Sequence, residues 1–300
     1  MFQSVYYCYK EYKYFLRDDV KGWLDFKYIP TYYKRISKKQ PGSFPILTGG
    51  WAIPAKYDKD DKNILEKDIN KELVLLRDLY YEEDDKIPSW HHITYIDIET
   101  EILGPITKEY IQSSPASLTS LALIDKTTKT KICFIIDKSG EIKEIKEKGK
   151  LIIPCKDEEE LMFKFLDKWE ELDPTIVIGW NSEFFDIPYL YYRMCKIIGT
   201  KQAERLSPIR KINIQDWNPK EVSVRIGGIN HLDYMLLKKK YEYKQEPSYK
   251  LGNIGERYVK MGKIEYEGNL NQLFKNDINK FIDYNLRDVE ILEALEDKFK

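Results

Sequence analysis

The sequence predicts an α/β layer domain behind a smaller α+β domain, on three observations. After residue 93, short apolar strands alternate with helices whose apolar residues recur every three to four positions. Before residue 90, short aromatic strands are separated by charged linkers. Between them the run EEDDKIP, residues 82–88, breaks both periods with charge and Pro88. We divide the chain into 1–92 and 93–300, each long enough to bury a core.

In the first domain KYIPTYYK (27–34) reads as a strand, which Pro30 confines to an edge or a bend. NILEKDINKELVLLRDLY has apolar residues at 65, 69, 73, 76 and 79, a helical spacing. The second domain opens on a strand at 93–99. ASLTSLALID and KICFIID are two more strands, joined by the polar turn KTTKT. DEEELMFKFLDKWEEL is a helix with Asp157 as N-cap, Glu160 three residues on, and apolar positions 161, 162, 165, 166 and 169. TIVIGW is a short buried strand. FDIPYLYYRMCKII opens a helix with Pro188 in its first turn. RKINIQDWNPKEVSVRI reads as a β-hairpin with DWNPK at its tip. SYKLGNIGERYV is a short helix. NDINKFIDYNLRDVEILEALEDKF is a long one, apolar at 278, 281, 282, 286, 289, 292, 295 and 299.

Composition excludes several classes. A hydrophobic content of 42% with 33% charged residues fits a soluble globular protein. No apolar run approaches the length of a membrane span, and Lys10, Glu11 and Lys13 interrupt any signal-peptide core. The cysteines (Cys8, Cys133, Cys155, Cys195) are far apart and read as reduced thiols of a cytosolic protein. The net charge of −1 gives no global sign of a nucleic-acid partner. Locally, LLKKKYEYKQEPSYK (236–250) interleaves Lys238, Lys239, Lys240, Lys244 and Lys250 with Tyr241, Tyr243 and Tyr249. That mixture suits phosphates and stackable bases, and it also describes a solvated helix end.

Three segments carry candidate chemistry. In HHITYIDIET, side chains two apart share a strand face, so Ile93, Tyr95, Asp97 and Glu99 point one way. Two neighbouring carboxylates in a half-buried strand repel, and a hard divalent cation between them relieves the repulsion; an acidic strand face open to water reads the same. In GWNSEFFDIPYL, Asp186 follows a strand and precedes a Pro-led helix, where an Asp also serves as an N-cap. In DYNLRDVEIL, Tyr284 and Asp288 lie one helical turn apart on one face. His91 and His92 read as strand-start residues, because the metals in question prefer oxygen. Asp233 sits at a strand end and matches no catalytic position.

Together the motifs DxE, NxxxFD and YxxxD fall in one order, with 89 residues from Asp97 to Asp186 and 102 from Asp186 to Asp288. This order resembles the DEDD exonucleases with tyrosine in the last motif. It resembles most closely the proofreading exonuclease region of family B DNA polymerases of the tailed-phage type. ERLSPIRK, LDYMLLKKK and PSYKLGNIGERY share the likeness, and KYIPTYYK extends it into the first domain. The resemblance implies a ribonuclease H-like fold for 93–300 and 3′→5′ hydrolysis of DNA ends with two divalent ions, Mg²⁺ or Mn²⁺; the alternative readings are a free-standing DEDD ribonuclease or oligonuclease, and a non-catalytic nucleic-acid-binding subunit of a split polymerase.

It further implies Asp97, Glu99 and Asp288 on one ion, and Asp97 with Asp186 on the other. Tyr284 would orient water, and Asn181 and Phe185 would contact the 3′ nucleotide; a core role for Phe185 and a turn cap for Asn181 fit the residues equally. The hairpin at 210–226, with Trp217 near its tip, would help part primer from template; a Trp217 folded back onto the domain fits the residues at least as well. Polymerase motifs of the SLYP and DTD kinds are absent, so the chain is expected not to synthesise DNA alone. The partners implied are single-stranded 3′ ends and primer–template DNA, with the missing polymerase half or a sliding clamp, in the cytoplasm (that of the host if the gene is a phage's).

Overall fold

The computed structural model describes residues 2–81, 91–101 and 103–299, without the side chain of Trp217. The run EEDDKIP lies outside the described residues. The chain divides into two compact units, residues 1–89 and 90–300.

In the first unit β1 (Phe2–Cys8), β2 (Lys13–Asp18) and β3 (Gly22–Phe26) form an antiparallel sheet. A second sheet contains β4 (Tyr32–Ile36), β5 (Phe44–Pro45), β6 (Trp51–Ala55) and β7 (Ile64–Leu65), in the order β5-β6-β4-β7. Helix α1 (Lys71–Tyr80) buries Leu75 against Tyr7 and Tyr14. Its Glu72 carboxylate accepts the Tyr7 amide at 2.8 Å.

Two expectations fail here. The strand expected over 27–34 begins only at Tyr32, past Pro30, which has no N–H to give a ladder. The apolar spacing counted from Leu65 mixed two elements. Leu65 ends a strand, and the helix starts after Asn70, whose side chain caps the Glu72 amide. The buried positions are Glu72, Val74 and Leu75, whereas Leu73 and Leu79 face solvent.

The second unit is built on one mixed sheet. Its strands are β8 (Ile93–Thr100), β9 (Leu118–Asp125), β10 (Thr130–Ile136), β11 (Ile145–Glu147), β12 (Lys150–Cys155), β13 (Ile176–Gly179) and, after the separate hairpin β14 (Ile212–Asn218) and β15 (Glu221–Ile226), β16 (Asn230–Asp233). The order across the sheet is β11-β12-β10-β9-β8-β13-β16. Strands β9 and β10 run antiparallel to their neighbours in the β8–β10 meander, and β13 runs parallel to both β8 and β16. The helices are α2 (Lys108–Ser113), α3 (Glu158–Leu172), α4 (Asp186–Ile197), α5 (Thr200–Ala203), α6 (Tyr234–Tyr241), α7 (Leu251–Val259), α8 (Leu270–Asn276) and α9 (Ile278–Phe299).

Period-two alternation divides the sheet into two buried faces. Ile96, Ile98, Leu121, Leu123 and Phe134 pack with Leu161, Phe165 and Trp169 of α3 and Leu190 of α4. Tyr95, Ala122, Ile124, Cys133 and Ile135 pack with Phe281, Leu286, Val289 and Leu292 of α9. Each Ile, Leu, Val or Phe among them contributes about 1.5–3 kcal/mol by leaving water. The expected apolar positions of α3 are all buried. Asp157 caps it by accepting the Glu160 amide at 2.9 Å, while the Glu160 carboxylate turns back to the Lys156 amide at 2.7 Å.

Arg193 of α4 ties the α3 face together. Its Nε and Nη2 donate to Glu158 at 2.8 and 2.6 Å, and Nη1 donates to the Ser114 carbonyl at 2.9 Å. At the far end, the Tyr95 hydroxyl donates to Glu296 at 2.9 Å, fixing the C-terminal turns of α9 on β8. Among the described residues no helix is long and apolar enough to cross a membrane.

Candidate active site

Strand β8 presents Asp97 and Glu99 on the face that α9 covers. The register places Asp97 opposite Ala122 and Glu99 opposite Ser120. These two small residues leave space under the helix where larger ones would fill it. Helix α9 supplies Tyr284, Asn285 and Asp288 to that space, all buried. Asp97, Glu99 and Asp288 each place a carboxylate oxygen within 4.8 Å of the others.

Side chains around the acids fix their orientation. Ser120 Oγ donates to Asn285 Oδ1 at 2.8 Å, and Asn285 Nδ2 donates to Asp97 Oδ2 at 2.8 Å. Lys263 Nζ pairs with Asp288 Oδ2 and donates to the Tyr284 hydroxyl at 3.1 Å. Asp288 Oδ1 is buried without a hydrogen-bond partner.

Asp186 approaches along the strand from α4. It is the first residue of that helix, one past the cap position held by Phe185. It is 4% exposed, and its Oδ1 accepts the Ile98 amide at 3.2 Å, next to Asp97 in sequence. It lies outside the group of three acids, yet its charge acts on Asp97.

The loop before Asp186 is held by residues that carry no part of the motif. Asp233 accepts the amides of Asn181 and Glu183 at 3.1 and 3.0 Å, and those of Met235 and Leu236 at the start of α6. Ser182 Oγ lies 2.8 Å from His231 Nε2, and His231 Nδ1 lies 3.1 Å from Glu183. Asn181 sits in this loop with φ 63° and is exposed. Phe185 is partly buried, with its ring 5.6 Å from that of Tyr189 and packed on the core of the α4 face. His91 lies away from the acids, its Nδ1 3.1 Å from Thr175 Oγ1.

Sequence reasoning set Asp233 aside and did not single out Asn285, Ser120 or Lys263. Only Asp233 carried a local signal, as an acid between a strand and a helix start.

Burial and crowding raise every acid here. For Asp97 burial acts first, then the charges of Asp288, Asp186 and Glu99. Glu99 is pushed up to about 8 by burial and by Asp288. Asp186 is pushed up to about 7 by burial, against the pull of its amide bonds. Burial also raises Asp288, with Lys263 opposing. The Tyr284 phenol is held above its ordinary value by burial in spite of Lys263. Oxygen-only donors, mutual repulsion and an orphaned Asp288 oxygen fit a hard divalent cation. A groove of about 930 Å³ opens onto Asp97 and Asp288, bordered by Trp180, Asn181, Lys250 and Lys263.

Comparison with known proteins bears on this architecture. The model of the DNA polymerase family B exonuclease domain matches residues 44–254, more than two thirds of the chain. The DNA-directed DNA polymerase of Escherichia phage RB69 is 37% identical over 143 residues, covering 46% of this chain and 16% of that protein. That of Enterobacteria phage T4 is 32% identical over 149 residues, covering 49% and 17%. DNA polymerase 1 of Sulfurisphaera ohwakuensis is 28% identical over 203 residues, covering 65% and 21%. The matched stretch thus spans about a fifth or less of the length of these relatives. With its mixed sheet flanked by helices in the ribonuclease H-like manner, the chain belongs to family B of the DNA polymerases, by their exonuclease domain.

Proposed function

We propose that residues 93–300 act as a 3′→5′ exonuclease on single-stranded or frayed DNA ends, with residues 1–92 forming the N-terminal domain that accompanies it. The observation that supports this reading best is the convergence of Asp97, Glu99 and Asp288, with a buried, unpartnered Asp288 oxygen, beside a groove that Asp97 and Asp288 line.

Asp97, Glu99 and Asp288 would hold one Mg²⁺ or Mn²⁺, and Asp97 with Asp186 a second. Such ions supply a nucleophilic water at neutral pH and stabilise the leaving 3′ oxygen. The chain's own residues orient the reactants. Asn285 locks one oxygen of Asp97, which would leave the other to a cation. Lys263 donates to the Tyr284 oxygen, which leaves the phenolic proton free to point at the attacking water. With its pKa raised, Tyr284 stays protonated at neutral pH and serves as a donor, not as a base. Asn181 and Phe185 would meet the terminal nucleotide, Asn181 from the groove wall.

Digestion of a single strand labelled at its 5′ end tests the reading. A ladder that shortens from the 3′ end with Mg²⁺ or Mn²⁺, and stops with EDTA, is expected. Internal cuts, loss from the 5′ end, or a preference for RNA would overturn it.

A further inference from the structure

The basic, aromatic run at 236–250 supplies none of the acids described above, although the Leu236 amide bonds Asp233 and Lys250 borders the groove. Helix α6 ends at Tyr241, and residues 242–250 lead to the first turn of α7. At the end of that segment, Tyr249 and Lys250 form part of the wall of the groove that reaches Asp97 and Asp288. Lys239 lies over the Tyr249 ring, 5.1 Å from its centroid, so the outer surface of α6 continues that wall. Tyr241 is 73% exposed and Tyr243 is fully exposed, and Lys240 lies 5.2 Å from the Tyr241 centroid.

The charges are segregated. Lys238 is paired with Glu242, and Arg257 with Glu246. Lys239, Lys240, Lys244 and Lys250 are exposed and pair with no carboxylate among the described residues. Glu256 and Glu265 border the groove itself. Unneutralised cations thus cluster outside the acidic end, beside two exposed aromatic faces. A solvated helix end explains the lysines, but not two bare tyrosines alongside them.

We propose that Lys239, Lys240, Tyr241, Tyr243 and Lys244 form a track for the single strand upstream of the bond to be cut. Its phosphates would lie on the lysines and its bases on the tyrosine rings. The assignment of upstream direction rests on the exonuclease reading; the binding of the strand does not.

The test measures fluorescence anisotropy of a labelled thymidylate dodecamer and tetramer, with Ca²⁺ replacing Mg²⁺ to prevent cutting. One variant is Tyr241→Ala with Tyr243→Ala; the other is Lys239→Gln, Lys240→Gln and Lys244→Gln together. All five positions are exposed, and circular dichroism melting checks the fold. The tyrosine variant is expected to bind the dodecamer about tenfold more weakly. The lysine variant should reduce the slope of log Kd against log salt by about 2. Tetramer affinity and tetramer cleavage should stay as in the wild type.

Unchanged dodecamer binding, or equal loss for both lengths, overturns the track. A loss in the lysine variant alone overturns the stacking role of the tyrosines. If the wild type cuts no strand in Mg²⁺, the exonuclease reading fails, while the dodecamer result still decides the binding surface.

Discussion

Ala122 and Ser120 decide where the acids of β8 stand, because larger side chains there would fill the space that Tyr284, Asn285 and Asp288 occupy. Charge then sets the behaviour of the site. Glu99 holds its proton up to about pH 8 in the folded, ion-free protein, far above its ordinary value of 4.5. A carboxyl raised on folding adds stability at low pH and loses it as pH rises through the folded value. The ion-free wild type should therefore lose melting temperature relative to Glu99→Gln as pH rises from about 5 to about 8, and Mg²⁺ should restore it. A difference that stays flat over that range, measured in EDTA, contradicts the crowding. Lys263→Met should lower kcat about tenfold or more with a smaller change in KM, since it frees Asp288 and Tyr284 without touching the groove's far end. The acids were readable because their spacing matches strand and helix periods. Lys263 was not, because it lies 25 positions from Asp288 in a segment with no periodicity, and only the fold brings them together.

At the scale of elements, Arg193 and Gly255 are the points of greatest leverage. Arg193→Met removes the cation that faces Glu158 and leaves a nearly buried carboxylate beside α4. It should cost about 3–5 kcal/mol, read from urea unfolding; a loss under about 1 kcal/mol would mean that water already screens the pair. Gly255 lets α7 approach α9 closely. A Cβ there would stand 2.3 Å from the Met261 carbonyl oxygen and 2.6 Å from Ile291 Cγ2. Gly255→Val should push α7 outward, destabilise by about 1–3 kcal/mol, and raise KM because α7 borders the groove. Helices α3 and α9 were legible from long, uninterrupted periodicity. Strand β12 was not, since it is six residues long, contains Pro154 and gains its place by pairing parallel with β10 and antiparallel with β11. Helix α1 was legible as a helix but in the wrong phase, because its apparent stripe started in β7.

For the whole molecule, strand order was beyond the sequence itself. Nothing local says that β13 inserts beside β8, the contact that brings Asp186 to the amide after Asp97. The likeness to family B polymerases supplied what periodicity could not, and the family match supports it over residues 44–254. The family match ends before Tyr284 and Asp288, and the geometry brings Asp288 beside Asp97 and Glu99. The hairpin β14–β15 forms where it was expected, with its turn at residues 218–221. Trp217→Ala should slow digestion of duplex ends while leaving single strands unaffected, in parallel rate assays; equal slowing of both would remove the hairpin from strand separation.

On the proposed reading, Asp97 and its partner acids hold the ions of a 3′→5′ exonuclease. The most direct measurement is the single-turnover digestion rate of a 5′-labelled strand by wild type and by Asp97→Ala, each with Mg²⁺ and with EDTA, on proteins of matched melting temperature. Rapid shortening from the 3′ end by the wild type, abolished by EDTA and by the substitution, is the required result. Cleavage by Asp97→Ala at the wild-type rate would mean that Asp97 holds no ion needed for the reaction.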